Sequence, residues 1–148
     1  MSIKLINTSP SVTENDILST QKKLGFSIPE PLKKTYLSNN GGVLENERCI
    51  YQSESYELDV KYFLPIMHSR KDGVFTVERL YEILALEKKL VPKNMLPFAI
   101  DGGGFPFCIN IEDETIHFFN LENEKDIKIE NNLHDFVSKI ISEEDAWG

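Results

Sequence analysis

The sequence predicts an α+β domain in which a mainly antiparallel sheet, a meander, is flanked by helices. Three observations predict it. Residues 96–111, LPFAIDGGGFPFCINI, join two apolar runs of period two through a turn rich in glycine, the pattern of two half-buried strands and a sharp reversal. A further alternating run follows at 115–119, after Glu112, Asp113 and Glu114 interrupt the pattern, and strands joined by turns this short must run antiparallel. Apolar residues at three- and four-residue spacing appear on both sides of this block, at 14–24 and 133–141, where they mark amphipathic helices.

Taken in order, Thr13 followed by Glu14, Asn15 and Asp16 supplies a helix cap with acids in the first turn, where oxygen acceptors and negative charge satisfy the free amides. A helix over 14–24 follows, with Ile17, Leu18, Gln21 and Leu24 on one stripe and Gly25 as a left-handed stop. Pro29 forces Ile28 out of the helical region, giving an extended link. A second helix opens around Pro31, carries Leu32, Tyr36 and Leu37 on one face, and ends at Asn39, Asn40, Gly41 and Gly42. Gly41 is expected to take the left-handed geometry of its terminator.

Strands are predicted over 48–52 and 57–64, turning at 53–55, with Pro65 ending the second. A polar loop, HSRKDG, spans 68–73. Thr76 caps a third helix that places Val77, Leu80, Tyr81, Leu84 and Leu90 or Val91 on one side until Pro92 stops it. In the central block Phe98 and Ile100 alternate with Pro97 and Ala99, and Phe105, Phe107, Ile109 and Ile111 with Pro106, Cys108, Asn110 and Glu112. Asp101, Gly102, Gly103 and Gly104 are expected to supply the positive φ angles of the reversal. Phosphate-binding glycine loops lead into the N-terminus of a helix, whereas this one leads into strand, which favours a structural turn. An edge strand over 126–130 and a last helix capped by Asn131 and Asn132, with Leu133, Phe136, Val137, Ile140 and Ile141 on its apolar face, precede a tail from Ser142 to Gly148.

A chain of 148 residues fits one domain, 1–148, able to bury roughly two-thirds of its unfolded surface. No apolar run approaches the roughly 20 residues of a membrane span, and the first eight residues lack a basic start and apolar stretch. The cytoplasm is the expected location. Cys49 and Cys108 have no CxxC spacing, so neither a disulfide scaffold nor a zinc site is predicted. His68, His117 and His134 lie in a loop, a strand and a helix, and the nearest approach to a ligand pair is His117 with Asp113 or Glu114. No cofactor or metal is implied. A nucleophile elbow, a kinase set and a recognisable carboxylate pair are absent from the sequence, so no enzyme is predicted.

The net charge of −8 is unevenly distributed: 3 basic and 11 acidic residues lie between Glu112 and Gly148, and the preceding 111 residues balance at 13 and 13. A nucleic-acid binder shows the opposite sign, because its affinity comes largely from Lys and Arg. Two readings of the acidic quarter stand. Glu112, Asp113 and Glu114 can be a solvated turn and Glu143, Glu144 and Asp145 a frayed, soluble helix end, or together they can mimic an anionic polymer and capture a basic protein. Trp147 beside those acids can anchor such a contact or pack back on its own domain.

This order of elements resembles the SUKH superfamily, which includes a fungal cell-wall assembly regulator and bacterial immunity proteins of polymorphic toxin systems. The residues that carry the resemblance are Leu24, Gly25 and Phe26, then Ile28 and Pro29, then residues 32–37 (LKKTYL, with Tyr36), then Asn39, Asn40, Gly41 and Gly42. Further on they are Leu96, Pro97, Phe98 and Ala99 with Asp101 and Gly103 or Gly104, and Phe136 in the last helix. The triple glycine is richer than the family's usual loop, and the tryptophan often found near it is missing. The resemblance implies a sheet flanked by helices and a role in binding protein partners. It leaves two readings: an immunity protein that neutralises a cognate, basic, possibly nuclease toxin through the acidic residues, or a regulatory scaffold without a toxin. A third, an enzyme built on Asp101 and the glycine loop, requires that loop to open a pocket.

Overall fold

A computed structural model describes residues 3–69 and 73–148; residues 70–72 of the expected polar loop lie outside these. Among the described residues the α+β expectation holds: five α-helices accompany antiparallel sheets, the largest a five-stranded meander.

The N-terminal half builds the frame. β1 (Leu5–Ile6) pairs antiparallel with β2 (Val43–Leu44). α1 (Glu14–Leu24) has the expected bounds, because its signals are local. The Asp16 amide donates to Thr13 Oγ1, the Thr13 amide donates back to Asp16, and Gly25 closes the helix at φ +88°. α2 (Glu30–Ser38) ends one turn before Gly41, with Asn39 already extended. Gly41 therefore does not terminate the helix, contrary to expectation. Its φ of +73° serves a close backbone approach, in which a Cβ would lie 2.7 Å from the Pro65 nitrogen. Gly42, at φ +118°, exchanges backbone hydrogen bonds with Phe63.

β3 (Arg48–Gln52) occupies the predicted span, but the expected strand over 57–64 divides into β4 (Glu57–Asp59) and β5 (Tyr62–Phe63). The division is a change of partner along one extended segment. Val60 donates to Cys49 O in β3, and Lys61 donates to Ile100 O in the large sheet. The period-two pattern is the same either way, so only the partner, distant in sequence, reveals the switch.

α3 (Val77–Tyr81) starts at the Thr76 cap and continues as a π-helix over Glu82–Glu87, where the Lys88 amide reaches back to Ile83 O. The wider turn keeps both Leu84 and Ala85 buried. The meander then runs β5, β6 (Met95–Ile100), β7 (Pro106–Asn110), β8 (Ile116–Asn120) and β9 (Lys125–Glu130), in that order, with β9 at the edge as expected. β6 is not half-buried: five successive residues from Met95 to Ala99 are buried, which requires cover on both faces. Pro97, which cannot donate to the ladder, lies where the β6–β7 register shifts.

The last helix is shorter than its apolar spacing suggests. α4 (Leu133–Ser138) stops, and Ile140 and Ile141 enter β10 (Ile140–Ser142), paired with β3 in a sheet ordered β10-β3-β4. Two β-branched residues favour the pleated surface, and Arg48 holds the transition by donating to Val137 O and Ile140 O at 2.6 and 2.8 Å. The expected tail is a short helix, α5 (Glu143–Trp147), capped by Ser142. Phe136 joins the layers: its buried ring lies 5.3 Å from Tyr51 and Phe107 and 5.7 Å from Phe98.

Candidate partner-binding surface

The glycine loop between β6 and β7 is held by carboxylates. Asp101 Oδ1 accepts from the amides of Gly103 and Phe105 at 2.9 and 2.8 Å, Gly104 donates to Asp101 O, and Gly102 donates to Asp59 Oδ2 at 2.6 Å. Burial raises the Asp101 carboxyl, and these backbone donors oppose the rise. Only Gly104 has positive φ, at +86°; Gly102 and Gly103 do not, so one residue makes the sharp reversal expected of four. Every amide from Gly102 to Phe105 is already bonded within the protein, which leaves the loop no donors for a phosphate. It does form a wall of a cleft of about 410 Å³ with Lys61, Tyr62 and Phe75. Lys61 and Asp101 both line this cleft.

The acidic quarter separates into two groups. Glu112, Asp113 and Glu114 form the β7–β8 turn, where Ile111 donates to Asn94 O and Thr115 N donates to Asp113. Glu143, Glu144 and Asp145 fill the first turn of α5, which packs on β3. That place is next to the other end of β7: Glu143 acts on Cys49 together with Asp59 and Glu47, and Asp59 reaches the glycine loop. Burial first, then these three carboxylates, push the Cys49 thiol up. β7 spans five residues, or about 16 Å, so the turn and α5 present separate faces. Glu130 contributes to neither. It is buried, accepts from Tyr51 Oη at 2.5 Å and pairs with Lys139 at 2.7 Å.

The α5 face gains Glu47 and Asp59, which sequence reasoning left out because the register of β3 on β4 and β10 brings them there. Trp147 is 60 % exposed on this helix rather than packed back on the domain. No helix among the described residues is long and apolar enough to cross a membrane, and no three His, Cys, Asp or Glu side chains among them could hold a metal.

The residues that carry the family resemblance lie in the frame. Pro29 O accepts the first amides of α2, Tyr36 Oη donates to Leu64 O at 3.0 Å, and Phe98 and Phe136 are wholly buried. Asn40 is the tightest knot. Its amide group donates to Pro10 O and Ile66 O, both at 2.9 Å, and its Oδ1 accepts from Ile66 N at 2.8 Å, at 1 % exposure. The side chain thereby ties the N-terminal segment to the stretch that follows β5.

No curated protein matches this sequence. The sequence model of the SMI1 / KNR4 family (SUKH-1) matches residues 11–139, from two residues before the cap of α1 to the residue after α4. That span contains every strand of the meander and helices α1 to α4, and the chain belongs to the SMI1 / KNR4 family (SUKH-1).

Proposed function

We propose that this protein is a cytoplasmic immunity protein that binds a cognate toxin domain and neutralises it by occlusion, without catalysing a reaction. Family membership supports a protein-binding role. The observation that carries the reading further is the face on α5, where an exposed Trp147 stands beside Glu143, Glu144 and Asp145, with Glu47 and Asp59 next to them. An exposed aromatic among five carboxylates suits a basic partner: the charge speeds encounter and the ring supplies a desolvated anchor. A toxin that acts on nucleic acid has a basic active-site surface of this kind. The Glu112, Asp113 and Glu114 turn forms a separate acidic face at the other end of β7, outside this contact.

The test is co-expression with the C-terminal domain of a toxin encoded next to this gene. The protein is expected to form a stable complex with that domain and to abolish its toxicity. A chain that neither binds nor protects, and whose gene has no such neighbour, belongs instead with the regulatory scaffolds of the family.

A further inference from the structure

Four polar side chains run in line from the β7–β8 turn to the edge strand. Thr115 Oγ1 lies 2.7 Å from Asp113 Oδ1 and 2.8 Å from His117 Nε2, and His117 Nδ1 lies 2.8 Å from Asp126 Oδ1. Their protons can be counted. Asp113 also accepts from the Thr115 amide at 3.0 Å, and its carboxyl is held below the usual range, first by the Thr115 hydroxyl and then by that amide. As a carboxylate it can only accept, so the single hydroxyl proton of Thr115 points to Asp113. Thr115 then has only lone pairs to offer His117, and Nε2 must donate. Nδ1 faces a carboxylate and must donate too. Both ring nitrogens carry protons only in the imidazolium form.

We propose that His117 is a proton-operated clasp, which in its charged form fastens the acidic β7–β8 turn to β9 through Thr115 and Asp126. Loss of the proton breaks one link. A neutral ring that keeps Nδ1–H on Asp126 must accept the Thr115 hydroxyl hydrogen bond at Nε2, and Thr115 then faces Asp113 with oxygen against oxygen. The turn has reason to respond, because Glu114 sits at φ +64°, a conformation that a residue with a side chain keeps only when its neighbours hold it. The ring is well placed to act on both elements, being on β8, between β7 and the edge strand β9, with its side chain 12 % exposed.

Other charged groups surround the clasp. Lys128 on β9 is the register partner of His117 and also acts on Asp113, and Cys108 opposes it on β7. Glu124, Lys89 and Lys93 line a cleft with Asp126. The three lysines oppose a further positive charge, whereas Asp113, Asp126 and Glu124 favour it. His117 bonds Asp126 directly and reaches Asp113 through Thr115, so two of these three acids lie on the clasp itself. The clasp closes where His117 is protonated and Asp113 is not, and it loosens as pH rises.

Long-range proton–nitrogen NMR spectra of the whole chain, recorded across pH, test this. Both His117 ring nitrogens are expected to be protonated at the acidic end, and the amides of residues 112–115 should shift together with the ring as it loses its proton. Hydrogen exchange of the Glu114 amide, corrected for its intrinsic pH dependence, should accelerate by roughly tenfold over the same step, the size expected for one lost charge-assisted bond. In Thr115→Val, which keeps the shape and removes the acceptor, His117 should still titrate while the turn no longer follows it. Turn amides that ignore the His117 titration in the native chain, or that follow it equally in the valine variant, would overturn the proposal.

Discussion

The phenol of Tyr51 donates to the buried carboxylate of Glu130 at 2.5 Å, and Lys139 closes on the same oxygen at 2.7 Å. The contact spans 79 positions of sequence and joins the three-stranded sheet to the meander, since Tyr51 lies in β3 and Glu130 ends β9. Tyr51→Phe keeps the ring stacked on Phe136 and removes the donor. It is expected to cost about 1–2 kcal/mol, the cost of leaving a buried acceptor short of one partner, measured by urea unfolding.

Stability should fall at alkaline pH, and the tyrosines set the direction. Burial first, and then the bond to Glu130, hold the Tyr51 phenol well above its usual range; burial holds Tyr36 well above it too and raises Tyr81. A raised acid is favoured in its protonated form in the folded state. Its contribution is therefore complete below the unfolded phenol value of about 10 and is lost as pH climbs past it. Denaturant midpoints between pH 8 and 11 should decline, and the decline should be shallower in Tyr51→Phe.

The glycines make a graded prediction. At Gly42 a Cβ would meet Ile6 O at 2.3 Å and at Gly41 the Pro65 nitrogen at 2.7 Å, both backbone atoms that cannot swing aside. At Gly104 there is open space but φ is +86°, and at Gly103 there is neither positive φ nor a contact closer than 3.5 Å. Alanine substitutions should therefore lower the melting temperature most at Gly42 and Gly41, moderately at Gly104, by about 1 kcal/mol, and least at Gly103. Gly104→Asn should recover part of the loss, because asparagine tolerates the left-handed region. A large effect at Gly103 would contradict the geometry.

Asn40 should be intolerant of its nearest isostere. Asn40→Asp preserves the acceptor for Ile66 N but replaces two donors with oxygen facing Pro10 O and Ile66 O. The loss should be about 2–4 kcal/mol at neutral pH. It should lessen in acid, where a protonated carboxyl can donate once. Melting curves at pH 4 and pH 7 would reveal the difference.

What could be read from the sequence follows the range of the interactions. α1 was legible to the residue because Thr13, Asp16 and Gly25 act within one turn of its ends, and the β6–β7 hairpin because its turn is local. The segment 57–64 was legible as extended but not as shared between sheets, since Cys49 and Ile100 are remote from it. Ile140 and Ile141 fit a helical stripe as well as a strand, and only Arg48 and β3 decide between them. The candidate surface was legible by composition alone. Its division depends on Asp59 meeting Gly102 across 43 positions, and no charge count contains that contact.

The division of the acidic quarter leads to the last prediction. If a basic toxin domain docks on the α5 face, its association should be fast at low salt and should slow as ions screen the attraction over a Debye length of about 8–10 Å. Replacing Glu143, Glu144 and Asp145 with lysine places three positive charges beside Trp147 and next to Glu47 and Asp59. Association should slow by roughly tenfold or more, with a flatter dependence on salt, because mutating rim charges acts mainly on the on-rate. The fold should persist, since the three side chains are exposed and in no ion pair among the described residues. The matching change at Glu112, Asp113 and Glu114 lies at the far end of β7, beyond a Debye length, and should leave that rate within about twofold. Trp147→Ala should instead raise the off-rate, as loss of an anchor does. Stopped-flow traces at two salt concentrations separate the outcomes. Slowing by the turn variant alone would move the contact to the Glu112, Asp113 and Glu114 end. No effect from either would make the acidic quarter a solubility device and place recognition on the electrically balanced part of the chain.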